Sequence, residues 1–122
     1  MAFSLFADSD DIIHVTFFEE VDFNQRKTAV DQVVKQVLDC EKIRLLVDLS
    51  DFIDLMSLQE QEAFGLYLAN TPALQKAKVA SVTGLNHDGN IVVEAVAFTQ
   101  GYQVVNFKRH QDAIAWLKGE LN

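Results

Sequence analysis

With one cysteine, one proline and five glycines among 122 residues, this chain has few cross-linking or chain-breaking residues. A lone Cys40 excludes an internal disulfide, and that fits a reducing compartment. So few glycines and prolines exclude a linker, a low-complexity tract or a collagen-like repeat, so the chain reads as one domain over 1–122. Basic residues are scarce as well. No Lys or Arg precedes Arg26, so the apolar start lacks the charged region of a signal or transit peptide. No apolar run approaches the roughly 20 residues that span a bilayer. These absences lead us to expect a cytoplasmic protein.

The formal net charge is −8, and it is unevenly placed. Residues 1–61 carry thirteen acids and five bases, whereas residues 62–122 carry five of each. Phosphate backbones and anionic membranes are held by clustered Lys and Arg, and neither half shows such a run. Nucleic acid and membrane are therefore poor partners. The acidic half reads as a solubilising surface or one facing a basic protein.

Apolar residues make up 49% of the chain, enough for a core without metal or disulfide. Residues 3–6 and 12–18 flank the turn cluster Asp8-Ser9-Asp10-Asp11 and read as a hairpin. The period then changes. Val30, Val33, Val34, Val37 and Leu38 recur at helical spacing, giving a helix over about 23–40 with Asp22 as N-cap. Residues 43–49 form a short apolar run suited to a strand buried on both faces. We expect a loop over 50–56. Ser57-Leu58-Gln59-Glu60 then has the form of a capping box opening a helix to about Asn70, before Thr71-Pro72. A strand over 78–83, a helix from the Asn90 cap through Gln100 to Gly101, a strand over 102–107 and a helix over 112–121 complete the chain. The order β-β-α-β-α-β-α-β-α predicts an α/β fold. It combines an N-terminal hairpin with parallel β-α units in a mixed sheet carrying about four helices.

Signatures of chemistry are sparse. No glycine-rich phosphate loop and no Gly-x-Ser-x-Gly elbow occurs. His14, His87 and His110 are far apart in sequence and lack ligand spacing, so we expect no metal and no cofactor. The polar turn 86–90 reads as a loop and cap, and Cys40 as a small, partly buried hydrophobe. Asp48, Asp51 and Asp54 stand at or after the carboxyl end of a central strand, where α/β sheets place ligands. Such carboxylates could bind a hard cation, but Asp in strand-to-helix loops commonly closes local turns. The same stretch is apolar for a loop, with Phe52, Ile53, Leu55 and Met56. The helix after it carries Ala63, Phe64, Leu66, Tyr67, Leu68 and Ala69, a wider arc than one buried stripe needs. Either loop and helix are deeply packed, or Phe52, Ile53, Leu55, Met56, Ala63 and Leu66 form a partner or ligand surface.

Two segments carry a family resemblance. IRLLVDLSDFIDLMS, residues 43–57, resembles the strand-loop-helix of anti-sigma-factor antagonist (STAS) domains, where a strand ending in Asp-Leu-Ser precedes Asp-Ser-Ser-Gly. VVNFKRHQDAIAWL, residues 104–117, is similar to the ending of the SpoIIAA-like family of small stand-alone bacterial domains. The resemblance implies a SpoIIAA-like fold and no defined biochemistry. It also sets Ser57 on the phospho-acceptor serine of the regulatory members, where a phosphate would meet the positive end of a helix dipole. Met56 replaces the acid before that serine, and Leu58 and Gln59 replace Ser and Gly after it, so the kinase motif is broken.

The sequence thus leads us to expect a non-enzymatic interaction or regulatory module, a homodimer through 52–69 and a possible further protein partner. A carrier of a small apolar ligand and an enzyme using Asp48, Asp51 and Asp54 are the alternatives. Since no ligand spacing exists, a thermal melt in EDTA should superimpose on the untreated melt. A midpoint lowered by more than a few degrees would reveal a structural metal.

Overall fold

The computed structural model describes residues 3–40, 42–84, 91–99, 101 and 104–120. The polar turn 86–90, with His87 and the expected Asn90 cap, lies outside them, as do Gln100 and Leu121. Five strands form one sheet in chain order: β1 (Phe3–Ala7), β2 (Ile12–Val21), β3 (Arg44–Asp54), β4 (Lys78–Val82) and β5 (Val104–Phe107). β1 is antiparallel to β2, and the remaining pairs are parallel. The helices are α1 (Phe23–Gln36), α2 (Leu58–Ala69), α3 (Ile91–Thr99) and α4 (His110–Leu117), with a 3₁₀ turn at Pro72–Leu74. This is the mixed α/β fold that the pattern predicts.

Parallel strands laid down consecutively and joined by right-handed crossovers must carry their helices on one face. α1, α2 and α3 accordingly cover one side, over a core that includes Val15, Phe17, Leu45, Phe64, Val79 and Val93. α4 follows the last strand and closes the opposite face over Ile12, Leu46, Ala80 and Val82. Gly65 permits the close contact of α2 with α3. A Cβ there would stand 2.9 Å from both the Val93 carbonyl oxygen and Val96 Cβ.

Burial near α1 includes one cation. Arg26 is 3% exposed, and its guanidinium stands 4.6 Å from the ring centre of Phe64, 5.3 Å from Phe17 and 5.8 Å from Phe52. Three aromatic faces replace part of the water this charge gives up. Both capping boxes close: Asp22 with Gln25 at α1, and Ser57 with Glu60 at α2. α1 ends at Gln36, short of the expected 40, so Leu38 and Cys40 fall beyond it and are exposed. The expected partial burial of Cys40 is thereby corrected.

The hairpin turn is tied by a single carboxylate. Asp8 Oδ1 accepts from the Asp10 and Ile12 amides at 2.8 and 3.1 Å, and Oδ2 lies 2.7 Å from Nε2 of buried His14. His14 is stacked between Phe6 and His110. Desolvation pushes the Asp8 carboxyl up. The bonds from His14 and the two amides, and the attraction of the imidazole, outweigh it and hold the pKa below 3.8. A carboxylate held low in the fold stabilises the protein above its unfolded pKa, and this is lost as pH falls through the folded one. Wild type should therefore melt above Asp8→Asn at about pH 5, by a margin set by the linkage of that one group. The margin should shrink below pH 3.8. A margin that grows as the pH falls below 3.8 would refute the assignment.

Candidate functional site

The stretch expected as a loop is strand. β3 continues to Asp54, eleven residues, because a bulge lets it follow β2 further than simple pairing allows. Thr16 pairs with Asp48, but Phe18 pairs with Asp51, so Leu49 and Ser50 together stand opposite Phe17. The Asp48 carboxylate accepts from the Ser50 amide at 2.9 Å and from its hydroxyl at 2.6 Å, holding the bulge.

The extra residue reverses the alternation. Before the bulge Leu45 and Leu49 face α1–α3, whereas after it Phe52 and Met56 do. Phe52 and Met56 are buried, which corrects their assignment to a surface. Ile53, Leu55 and the first residue of α2, Leu58, are each more than half exposed. Ala63 and Leu66 are also exposed, further along α2, while Phe64, Gly65 and Ala69 turn inward. The apolar arc of α2 therefore divides, with its larger share packed and Leu66 left outside.

β3 pairs with β4 only as far as Asp48, opposite Val82, but with β2 as far as Asp54, opposite Val21. The β2–β3 ribbon thus projects about 20 Å past the last β3–β4 pair, at 3.3 Å per residue. Glu20 is the register partner of Ile53, and the Leu55 amide donates to the Val21 carbonyl at 2.9 Å. This projecting tip displays Ile53, Leu55 and Leu58 beside Glu19, Glu20 and Asp51, all exposed.

The three aspartates do not converge. Asp48 is spent on Ser50, Asp51 is exposed, and Asp54 Oδ1 closes a turn onto the Met56 amide at 2.9 Å. Asp54 lies beside buried Val21 on the α1–α3 side, while Asp51 pairs with Phe18 on the other. Among the described residues no three His, Cys, Asp or Glu side chains are grouped to hold a metal ion. Nor is any helix among them long and apolar enough to cross a membrane.

A cavity between the sheet and α2–α3 is bounded by Arg26, Ser81 and Glu94 and by apolar Leu68, Val79 and Ala97. Its volume is about 30 Å³, the space of roughly two or three waters rather than of a sizeable apolar ligand. A polar chain lines it, from Asn106 to the Ser81 hydroxyl at 3.0 Å and on to Glu94 at 2.8 Å. Sequence reasoning missed this network because its members stand on three separate elements.

The chain is similar in structure to an uncharacterised protein of the DUF3478 family with a SpoIIAA-like fold, from Shewanella loihica PV-4. The TM-score is 0.58 at 15% identity, over 95% of this chain and 92% of that one. The chain has a SpoIIAA-like fold. No protein-family model and no curated protein matches it. At this identity the likeness fixes the architecture and leaves the chemistry of the site to its own residues.

Within this SpoIIAA-like fold Ser57 is the N-cap of α2. Its hydroxyl accepts from the Glu60 amide at 3.1 Å, and Glu60 Oε1 accepts from the Ser57 amide at 3.0 Å. Ser57→Ala should cost about 1 kcal/mol, and Ser57→Asp, which also caps and suits the helix dipole, should be nearly neutral. Paired melts of the two variants check this. An unchanged midpoint for Ser57→Ala would mean that the cap contributes nothing.

Proposed function

We propose that this protein is a non-enzymatic interaction module that docks another protein at the β2–β3 tip. One observation carries the reading: Ile53, Leu55 and Leu58 are displayed together on a projecting ribbon, although burying each would gain about 1.5–3 kcal/mol. A monomer gains nothing from exposing three such side chains within six residues, whereas a docking surface does. The carrier reading finds only water-sized space at the sheet–α2 cavity, and the Asp48/Asp51/Asp54 reading finds carboxylates already committed or facing apart.

The homodimer expected through 52–69 loses two anchors, since Phe52 and Met56 are buried. Ser57 supports the tip as a cap. A phosphate there would add charge to an already acidic surface, so modification would tune docking rather than create the surface.

A photo-crosslinking side chain placed at Leu55 should trap discrete higher-mass adducts in cells. The same group at Leu38, which is 70% exposed but lies in the α1–β3 turn, should not. Equal yields at both positions, or none at 55, would refute docking at the tip.

A further inference from the structure

The partner's chemistry can be read from what surrounds the tip, and this deepening rests on the docking function proposed above. The tip is built from two stretches of chain, 17–25 and 49–60, and neither contains a Lys or Arg, the next base after the first stretch being the buried Arg26. Glu19, Glu20 and Asp22 at the end of β2, Asp51 and Asp54 on β3 and Glu60 in the first turn of α2 all stand there. Glu20 lies directly across from Ile53, at the roughly 4.8 Å spacing of paired strands. The apolar side chains are thus set within carboxylates that have no basic neighbour in either stretch.

Of the molecule's own bases, Arg26 is buried beneath the tip against Phe17, Phe52 and Phe64, Lys27 stands over the Tyr67 ring, and five others are elsewhere. Lys42, Arg44, Lys76, Lys78 and Lys118 line one groove at the amino ends of the strands, the opposite end of the sheet. Several of them are already engaged. Lys118 lies 3.1 Å from Asp10, Arg44 donates to the Asp10 carbonyl, and Lys78 donates to the Trp116 carbonyl at 2.5 Å over the Trp116 ring. Two tips brought face to face would set carboxylates against carboxylates. A head-to-tail copy would bring the tip to that groove, where Lys118 is already paired with Asp10 and Arg44 and Lys78 are held on backbone carbonyls, and would do so on a body of charge −8. Like-charge juxtaposition suppresses the face-to-face arrangement, and the net charge of −8 on each copy opposes the head-to-tail one, whereas opposite charge steers and registers a foreign surface.

We infer that the tip receives a basic segment of a different protein: apolar side chains seated on Ile53, Leu55 and Leu58, with Lys or Arg placed against Glu19, Glu20 and Asp51. In this arrangement the apolar contacts hold the complex, and the charges set encounter rate and partner choice.

The test uses the full chain and a fluorescent amphipathic peptide of leucine and lysine, with a leucine–glutamate peptide as control. Anisotropy gives affinity, amide NMR shifts give location, and sedimentation gives the state of the protein alone. The lysine peptide should bind and the glutamate peptide should not, with shifts at 19–20 and 51–58. Ile53→Ser with Leu55→Ser should weaken binding about tenfold or more, the loss of a buried anchor, and Glu20→Lys should weaken it and flatten its salt dependence. Leu38→Ser should change neither. Unaltered binding in the Ile53/Leu55 double variant, or shifts centred on the 8–11 turn, would overturn the inference as mere attraction to an acidic protein. Self-association abolished by Leu55→Asp would also overturn it, in favour of a second copy, and would leave docking at the tip intact. Silence of the tip amides to both peptides, with a monomer in sedimentation and no adduct at position 55, would overturn both.

Discussion

The surface of this protein turns on one inserted residue. Where Leu49 and Ser50 share the place opposite Phe17, the strand changes which of its neighbours face the helices. Without that insertion Ile53 and Leu55 would enter the core, and Phe52 and Met56 would face outward. With it, Phe52 joins the aromatic group around Arg26, and Met56 seals the underside of the tip. The bulge is held by bonds from Ser50 to Asp48, so a carboxylate placed where α/β sheets hold ligands is the support of the surface geometry.

The same displacement explains why the tip and the core are compatible. Val21 is fully buried beside Asp54, and the Leu55 amide reaches back to the Val21 carbonyl. The ribbon is therefore anchored on the helix side while its other face is open past the end of β4. Ser57 and Glu60 then start α2 at once, and α2 folds back to set Phe64 against Arg26. Capping, bulge and aromatic packing fix the exposed residues from three directions, and a rigid display suits recognition better than a flexible loop would.

Charge separation gives the molecule its polarity. Glu19, Glu20, Asp22, Asp51, Asp54 and Glu60 gather where the strands end, and Lys42, Arg44, Lys76, Lys78 and Lys118 where they begin, where Lys78 seats α4 and Arg44 and Lys118 bind the 8–11 turn. The cationic groove is thus occupied with holding the second core closed. Among the described residues, the acidic end bonds within its own caps and turns.

Much of this was legible in order and period. The element sequence, both N-caps, the antiparallel entry and the parallel crossovers follow from local pattern, because caps and periodicity are written within a few residues of where they act. The resemblance of 43–57 and 104–117 to SpoIIAA-like domains pointed to the same architecture. What the linear pattern did not contain was the face on which each residue of 50–56 falls. Alternation in Asp48-Leu49-Ser50-Asp51-Phe52-Ile53-Asp54-Leu55-Met56 is readable in two phases, and only pairing with β2 selects one. Likewise Arg26 reads as an ordinary polar position of an amphipathic helix until Phe17, Phe52 and Phe64 are folded around it. Local propensity therefore determined the elements, and the long-range register between two strands decided which side chains became core and which were left exposed.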